Sequence, residues 1–339
     1  MSARALKTIL IGFGEVASGY ASDPKISGVF KDATHIQAIQ RHPGFDIVAV
    51  IDPSEDARRR AQSDWQVEHC YADLSQMPSD QRIDVAVLTS PASTRLAALA
   101  QLPNLRAVLA EKPLGQAPGE AESFVQGCAE RNLPLQVNYW RRGAPGFRRL
   151  ADGQLTDLVG EAQAVFGLYG NGLFNNGSHL IDFVRFLFGE IKTVQATSDA
   201  SEVFLERGTA DKSMAFTLNL VSSLQVMVSP IDFSAYREIG LDIWGREGRL
   251  AIWQEGLSVQ HFPRTENRGV SDTGEIASDQ PRTIDCPIKD SFYAIYDNIW
   301  RHLDQGEDLL ISGENALLTE QALMALETSA ANGGEIKHL

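Results

Sequence analysis

The chain has 339 residues, of which 43% are hydrophobic and 22% charged, a balance typical of globular proteins and a length that suits two domains. Its formal net charge of -14 argues against nucleic acid as a partner, because binding a polyanionic backbone needs a concentrated basic face. We find no run of about 18 apolar residues that could span a bilayer, and no secretory signal pattern, so we expect a cytoplasmic protein without a membrane partner.

The three cysteines are Cys70, Cys128 and Cys286, which are odd in number and far apart along the chain. This spacing predicts reduced, structural thiols instead of a disulfide framework. No cluster of histidine, cysteine and carboxylate residues has the spacing of a catalytic metal site, so metal-assisted chemistry is disfavoured.

Short apolar runs alternate with helix-favouring stretches through the first half of the chain. The predicted strands cover residues 6–12, 47–51, 83–88, 107–109 and 135–138, and the predicted helices cover 53–61, 93–102 and 118–131. This alternation is typical of βαβ units. It predicts a doubly wound parallel sheet of Rossmann type over residues 1–137.

The first predicted strand runs directly into a glycine-rich turn. In the pattern Gly-x-Gly-x-x-Gly/Ala, the first glycine allows the tight turn, and the second lets the backbone approach a pyrophosphate at the N-terminus of the next helix. The second strand ends in an acid, where the pattern has a carboxylate for the ribose hydroxyls. We therefore predict a dinucleotide site with these contacts: Gly12, Phe13, Gly14, Glu15, Val16 and Asp52.

The terminal acid also bears on the choice of cofactor. A carboxylate at Asp52 would repel a 2′-phosphate, which favours NAD, whereas the basic run from Arg58 to Arg60 leaves NADP open. The spacing is unusual, because Gly14 and Asp52 are 38 residues apart and the pattern has about 20. The excess falls around residues 20–34 and indicates an insertion, which would act as a flap over the cofactor, an oligomer contact or a plain surface loop.

Two further strand ends carry polar residues where ligands of doubly wound sheets bind. Strand 83–88 ends in Thr89-Ser90-Pro91, whose hydroxyls would line the nicotinamide ribose if this is more than a turn. Strand 107–109 leads into Glu111-Lys112-Pro113, and the proline favours an extended backbone at Lys112. We expect this backbone to direct the Lys112 amine towards a bound ligand.

After Asn138 the predicted strands follow one another without intervening helices. They cover residues 161–168, 193–200, 213–220, 224–230, 238–244 and 249–254, which favours an antiparallel or mixed sheet. Helical patterns cover 178–188, 291–305 and 314–332, and residues 264–281 have the composition of a surface loop. Residues 138–339 are therefore predicted to form a second α/β domain, with its last helix free to pack back on the first.

Glycines, amides and a histidine precede the predicted helix 178–188. Ser178 or a neighbouring asparagine would cap this helix, with His179 in its first turn and Asp182 one turn later on the same face. Oxidation of a carbinol removes a hydride from carbon and a proton from oxygen, and histidine is a natural general base for the proton. Lys112 would then stabilise the developing alkoxide. None of the other six histidines has a comparable sequence setting.

Together these motifs resemble those of the Gfo/Idh/MocA family of oxidoreductases. The similarity spans nearly the whole chain, in the segments Gly12 to Ala17, Asp52, Tyr71-Ala72-Asp73, Glu111-Lys112-Pro113, Asn138-Tyr139-Trp140-Arg141-Arg142 and Gly177-Ser178-His179-Leu180-Ile181-Asp182. The resemblance implies a Rossmann domain followed by an α/β domain whose mostly antiparallel open sheet commonly mediates oligomerisation. It also implies NAD(P)-dependent oxidation or reduction of sugars, cyclitols or related compounds.

The resemblance implies roles for individual residues. Lys112 matches the catalytic lysine and His179 the acid/base histidine. Glu111 and residues 89–91, at their strand ends, are expected to contact the cofactor. The implied substrate contacts are Lys112, His179, Asn138 and either Arg141 or Arg142. Independently of the resemblance, Trp140, Tyr169 and Asn175 would suit a hydroxyl-rich ligand, because buried hydrogen-bonding groups favour such a partner. Two positions depart from the family pattern: Asn175 replaces a common aspartate, which makes a carboxylate relay there doubtful, and Arg95 replaces a common histidine, either adding charge near the cofactor or facing solvent.

The preferred function is an NAD-dependent dehydrogenase acting on a CH–OH group of a sugar, cyclitol or sugar derivative, assembled as a homodimer or homotetramer. One alternative is a non-catalytic NAD(P)-binding regulator or sensor of the same fold. Another is a reductase of a non-sugar carbonyl or imine, because a fold does not fix its substrate.

Overall fold

The computed structural model describes residues 4–204, 210–286 and 288–339, and the chain divides into two compact units. The first unit comprises the residues up to Gly143 together with Lys289–Leu317, and the second comprises Ala144–Ile288 with Leu318–Leu339. The predicted boundary after residue 137 did not include the return of the chain at Lys289–Leu317. That return adds Phe292, Ile295, Tyr296 and Ile299 to the core of the first unit.

Six parallel strands form the sheet of the first unit. They are β1 (Leu6–Ile11), β2 (Phe45–Ile51), β3 (Cys70–Tyr71), β4 (Val85–Leu88), β5 (Ala107–Ala110) and β6 (Leu135–Val137). The strands pair in the order β3-β2-β1-β4-β5-β6, which confirms the predicted doubly wound Rossmann sheet. All residues of β4 and β5 are buried, which explains why these segments are continuous apolar runs. The order reverses beside β1, where such sheets bind ligands.

The helices lie in both units. In chain order they are α1 (Pro24–Val29), α2 (His35–Arg41), α3 (Glu55–Ser63), α4 (Ala92–Ala100), α5 (Glu120–Ala129), α6 (Pro145–Arg149), α7 (Leu155–Val159), α8 (Ser178–Phe188), α9 (Ser291–Gln305) and α10 (Gly313–Ala331). The boundary between the units falls within α10. Within the described ranges, no helix is both long and apolar enough to cross a membrane.

The insertion interrupts the helix that follows β1 and the glycine turn. The chain leaves the helical path after Ala17, forms a short turn and α1, and returns at α2. The backbone N–H of His35 donates to the Val16 carbonyl at 3.1 Å, and that of Ile36 donates to the Ala17 carbonyl at 3.0 Å. An uninterrupted helix would use residues 20 and 21 for these bonds, so about fifteen residues are extra. Without them, Gly14 and Asp52 would be about 23 residues apart, close to the usual spacing.

Ion pairs hold the returning end of the insertion within the first unit. Lys31 and Arg41 each donate to the Asp290 carboxylate at 3.0 Å, just before α9 begins. Arg41 also pairs with Asp32, which is almost fully buried. Burial raises the pKa of Asp32, although the positive charge of Arg41 opposes this shift. The insertion is therefore packed against the polypeptide that leads into α9.

The second unit is built on a mixed sheet. Its strands are β7 (Ala162–Tyr169), β8 (Ile191–Ala196), β9 (Ser201–Phe204), β10 (Ala210–Ser213), β11 (Phe216–Leu220), β12 (Gln225–Pro230), β13 (Gly240–Gly245), β14 (Gly248–Trp253), β15 (Ser258–Glu266), β16 (Gly274–Ile276), β17 (Arg282–Thr283) and β18 (Lys337–His338). Ten of these described strands form one sheet in the order β16-β15-β14-β13-β7-β12-β11-β8-β18, with β17 on β15. β7 and β12 are parallel and the other pairs are antiparallel, as expected for a mostly antiparallel sheet.

Some elements of the second unit differ from the prediction. The predicted strand 213–220 is divided, because Ser213 ends β10, which pairs only with β9 in a separate two-stranded sheet, and β11 begins at Phe216. The predicted loop 264–281 contains the end of β15 and all of β16. α6 and α7 were not predicted.

Candidate active site

The glycine turn after β1 packs closely on the end of β4. Gly12 has φ = +92°, and a Cβ atom there would come within 2.8 Å of the Ser90 amide nitrogen and 2.9 Å of the Thr89 carbonyl carbon. The Thr89 hydroxyl donates to the Gly12 carbonyl at 2.7 Å. Only glycine fits this position, both for its backbone conformation and for the close approach. The bare backbone cradle at this turn fits the requirements of a dinucleotide pyrophosphate.

The carboxylate of Asp52 closes the cradle from the end of β2. It accepts the Phe13 backbone N–H at 2.6 Å and the Ser54 backbone N–H at 2.8 Å. Arg58 donates to the Asp52 backbone carbonyl at 2.7 Å, and Arg60 lies 3.5 Å from the Phe13 carbonyl. The acid predicted to bind ribose hydroxyls therefore lies against the glycine turn despite the long insertion. Arg58 and Arg60 both lie beside this acid and the glycine turn.

The loop that carries Lys112 is held by its backbone. Lys112 follows β5, its peptide bond to Pro113 is cis, and its own N–H donates to Glu111 Oε2 at 3.2 Å. Arg95 is 3% exposed and donates to the backbone carbonyls of Glu111, Pro113 (2.9 Å) and Ser90 (3.0 Å). Arg95 therefore does not face solvent: it ties the end of β4 to the Lys112 loop.

Glu111 is a buried carboxylate surrounded by donors. Its Oε1 lies 2.9 Å from His35 Nε2 and accepts from Asn138 Nδ2 at 2.6 Å. Burial opposes ionisation of Glu111, but the hydrogen bond and electrostatic attraction of His35, the bond from Asn138 and the charge of Lys112 outweigh it. The pKa of Glu111 is consequently held below its usual range, and the carboxylate stays ionised.

Sequence reasoning missed the role of His35. The residue is fully buried, and its Nδ1 lies 2.8 Å from the Tyr296 hydroxyl on α9. Its partners Glu111 and Tyr296 are 76 and 261 residues away in sequence, so no local pattern identifies the contact. The contacts of His35 with Glu111 and Tyr296 are recognised from the folded structure, through these two long-range hydrogen bonds.

The segment after β6 forms a short helical turn over Trp140–Gly143. Asn138, Arg141 and Arg142 are all buried, although arginines in such a run more often lie on the surface. The Arg141 guanidinium stacks on the Trp140 ring at 4.5 Å, and Phe30, from the insertion, makes a T-shaped contact with the same ring with centroids 5.9 Å apart. The insertion therefore contacts one of the predicted substrate residues within the first unit.

In the second unit, the helical path into α8 begins earlier than predicted. Leu173–Gly177 form a wide helical turn that continues into α8. The Ser178 hydroxyl donates to the carbonyls of Phe174 (2.8 Å) and Asn175 (3.1 Å), so the prediction that Ser178 caps this helix was wrong. The cap is Asp211 on β10, whose carboxylate accepts the N–H groups of Phe174 (3.4 Å) and Asn175 (2.9 Å). A carboxylate thus lies beside Asn175 although that residue is an amide.

The remaining predicted residues of the second unit surround this helix start. His179 is half-buried in the first turn of α8, and Asp182 is fully buried, 3.9 Å from Arg185. The hydroxyl of Tyr169 donates to the Met214 carbonyl at 2.8 Å and accepts the Met214 N–H at 3.0 Å. Burial raises the pKa of Tyr169 well above its usual range. Its hydroxyl is therefore committed to backbone contacts.

The predicted residues thus form two groups. The cofactor residues, Lys112, Asn138, Trp140 and Arg141 lie in the first unit, where the turn, Asp52, residues 89–91 and Lys112 follow the carboxyl ends of β1, β2, β4 and β5. Tyr169, Asn175 and His179 lie in the second unit. Over the residues that the structure describes, no group of three or more histidine, cysteine or acidic side chains could hold a metal ion.

Family models match both parts of the chain. The model described as an oxidoreductase family with an NAD-binding Rossmann fold (GFO_IDH_MocA) matches residues 26–139. The model of the GFO/IDH/MocA C-terminal domain matches residues 158–251. The first match begins within the insertion, after the glycine turn.

Individual proteins are similar at low identity. The D-apiose dehydrogenase of Paraburkholderia graminis is 23% identical over 333 residues, covering 91% of this chain and 87% of that protein. The WlbA dehydrogenase of Bordetella pertussis, in complex with NADH and UDP-GlcNAcA, has a TM-score of 0.72 at 19% identity and 99% coverage of both chains. A super-repressor mutant of Gal80p from Saccharomyces cerevisiae has a TM-score of 0.75 at 14% identity, covering 98% of this chain and 97% of that one.

Proposed function

Because this chain belongs to the Gfo/Idh/MocA family and is therefore an NAD-dependent oxidoreductase, we propose that its substrate is a CH–OH group of a sugar, a cyclitol or a sugar derivative. The observation that carries the proposal is the attachment of the Lys112 loop to the glycine turn. Ser90 packs on Gly12, and Arg95 connects Ser90 to the carbonyls on both sides of Lys112. The backbone that carries the Lys112 ammonium group is thereby held close to the dinucleotide cradle. The names of the similar dehydrogenases support a carbohydrate substrate.

The residues that would hold NAD are those of the cradle. The turn at Gly12 to Val16 would face the pyrophosphate, Asp52 the adenosine ribose, and Thr89 to Pro91 the nicotinamide ribose. When bound, NAD supplies the acceptor or donor of the hydride. Asp52 favours NAD over NADP, because its carboxylate lies on the glycine turn and would repel a 2′-phosphate.

In the proposed reaction, Lys112 stabilises the substrate alkoxide and His179 transfers the hydroxyl proton. The ionised Glu111 beside Lys112 favours the ammonium form of the lysine, and an ammonium suits the stabilisation of a substrate alkoxide. His179, half-buried at the start of α8, would take the hydroxyl proton during oxidation and return it during reduction.

Binding followed by turnover tests this function. NADH and NADPH are titrated by fluorescence, and sugars, inositols and sugar nucleotides are then screened for absorbance change of the nicotinamide. We expect tighter binding of NADH and turnover of at least one hydroxyl-rich substrate. Lys112→Ala and His179→Ala should each lower kcat by about 100-fold or more while leaving the Kd for NADH within about twofold.

The matched control is Lys25→Ala, an exposed lysine on α1 that should retain the wild-type rate. Full activity of Lys112→Ala or His179→Ala would remove the proposed role of that residue. Tighter binding of NADPH would contradict the role of Asp52. NADH binding with no turnover on a broad panel would favour a regulator or sensor, and turnover of non-sugar carbonyls or imines alone would contradict the substrate class.

We also propose that a second copy of the chain covers the open face of the second unit's sheet. Phe166 on β7 and Met227 on β12 are register partners and are 43% and 40% exposed, respectively. On the other side of Phe166 its register partner on β13 is Asp242, and Trp244, two residues further along that strand, stacks under Arg249 at 4.7 Å. Large apolar side chains in a contiguous patch mark interaction surfaces. A homodimer or homotetramer formed through this face would bury them.

A further inference from the structure

A buried chain of side chains joins the helix after the glycine turn to the loop that carries Lys112. His35 is fully buried, with Nε2 2.9 Å from Glu111 Oε1 and Nδ1 2.8 Å from the Tyr296 hydroxyl. The other carboxylate oxygen, Glu111 Oε2, accepts the backbone N–H of Lys112 at 3.2 Å. One carboxylate therefore contacts both a ring on α2 and the backbone of the lysine.

The His35 ring is tied to the glycine turn because its residue closes the insertion. His35 is the first residue of α2, and its backbone N–H donates to the Val16 carbonyl at 3.1 Å. The following residue, Ile36, bonds the Ala17 carbonyl at 3.0 Å. The backbone of His35 is therefore fixed to the polypeptide that follows the glycine turn, and its side chain extends from there to Glu111.

The charged and titratable groups around Glu111 come from several elements. His35 approaches from α2, and Tyr296 from α9 acts through His35, while Lys112 is adjacent in sequence. From α4, the Arg95 guanidinium binds the Glu111 backbone carbonyl. The Asn138 amide and the Lys112 backbone N–H donate to its two oxygens, and because a deprotonated carboxylate only accepts hydrogen bonds, His35 Nε2 beside Oε1 acts as the donor in that state. This arrangement stabilises the anion.

We propose that His35 and Glu111 are positioning residues for Lys112. His35 holds the Glu111 carboxylate in place, and that carboxylate fixes the Lys112 backbone relative to the glycine turn and supplies the negative charge beside the ammonium group. Neither residue need touch a ligand. The inference rests on the proposed role of Lys112, and it adds that the histidine closing the insertion governs the charge and position of that lysine.

The first test measures the Lys112 amine directly in the cofactor-free protein. The rate at which an amine reagent modifies Lys112 is followed by mass spectrometry between pH 6 and pH 11. Glu111→Gln keeps the size of the side chain but removes its charge, so we expect the midpoint of Lys112 modification to fall by about one pH unit. Lys25, on α1, reports in the same samples and should not change.

The second test separates positioning from simple stability. His35→Leu should lower kcat by about tenfold or more and shift the pH profile of kcat/KM, whereas His35→Gln, which can still donate to Glu111, should restore most of the rate. The matched control is His42→Leu. His42 is also buried at the end of α2 but contacts Gly44 and Asp297, so its loss should lower stability without moving the pH profile.

The outcomes distinguish this proposal from the function on which it rests. Full activity of Lys112→Ala would contradict the role of Lys112 itself. If Lys112→Ala is inactive but Glu111→Gln leaves both the modification midpoint and the pH profile unchanged, the positioning role is wrong. If His35→Leu does not fold, Glu111→Gln still decides the question, because the amide matches the carboxylate in size.

Discussion

Glu111 shows how a single buried residue can be both a structural and a functional group. Its carboxylate lies in the core of the first unit, where burial alone would favour the neutral acid. The donors around it reverse this preference and hold its pKa below the usual range. Because His35 is one of these donors, the charge of Glu111 depends on a residue far away in sequence.

The lowered pKa of Glu111 predicts a specific dependence of stability on pH. An acid whose pKa is lowered by folding stabilises the folded state above its unfolded pKa, here 4.5, and loses that contribution as the pH falls further. The difference in unfolding free energy between the wild type and Glu111→Gln should therefore be largest near neutrality and shrink below pH 4.5. Urea denaturation monitored by circular dichroism at several pH values measures it.

The exposed Glu122 on α5 provides the control substitution. Glu122→Gln should change the unfolding free energy much less than Glu111→Gln at neutral pH, because its side chain is exposed to solvent. A pH-independent effect of Glu111→Gln would mean that the carboxylate is not stabilised by its neighbours.

Residue roles could be predicted from the sequence only where the signal is local. Gly12 and Asp52 follow predicted strands, so the fold brings them together as the pattern requires. Arg95 and Asp211 could not be assigned, because one binds carbonyls on another strand end and the other caps a helix from a separate hairpin. Their functions depend on tertiary contacts that no short motif encodes.

At the scale of elements, an ion-pair cluster helps to anchor the insertion. Arg41 pairs with the buried Asp32 and with Asp290, so Arg41→Ala would leave a buried carboxylate without its nearest cation. Breaking a fully buried pair costs about 3–5 kcal/mol, and the partial exposure of Arg41 reduces our expectation to about 1–2 kcal/mol of unfolding free energy. Urea denaturation should show this loss as a lower midpoint.

Arg59→Ala is the matched control for this substitution. Arg59 pairs with Glu55 and Asp56 on the exposed surface of α3, where ion pairs contribute little, so we expect a change below about 0.5 kcal/mol. Equal effects of the two substitutions would show that the cluster does not anchor the insertion.

The elements themselves could be predicted to different extents. α8 and α9 have the predicted bounds, because both combine an apolar stripe with clear ends. β15 and β16 were missed because their residues are mostly polar, and α6 and α7 are too short to show a helical period. The helix after the glycine turn could not be predicted as one element, since the bonds that complete it join residues 16–17 to 35–36.

At the scale of the whole molecule, the proposed assembly predicts a change of mass. Placing charges on the open sheet face with Phe166→Glu and Met227→Glu should weaken association, because burying two carboxylates in an apolar contact is unfavourable. Light scattering coupled to size-exclusion chromatography should show the oligomer of the wild type and mostly monomer for the double variant.

Val221→Glu is the control for that experiment. Val221 is 68% exposed in the turn between β11 and β12, so the substitution should leave the mass unchanged. A monomeric wild type, or a double variant with the mass of the wild type, would contradict assembly through this face.

The looped-out segment has a consequence for how such a chain changes length during evolution. The polypeptide departs from one helical turn and rejoins it at the next, and two backbone hydrogen bonds seal the junction. Residues can be gained or lost between these two points without altering the register of any strand in the Rossmann sheet. The junction is thus a natural point for exchanging loops between homologous enzymes, because a loop of different length or sequence can be inserted there while the Rossmann sheet is preserved.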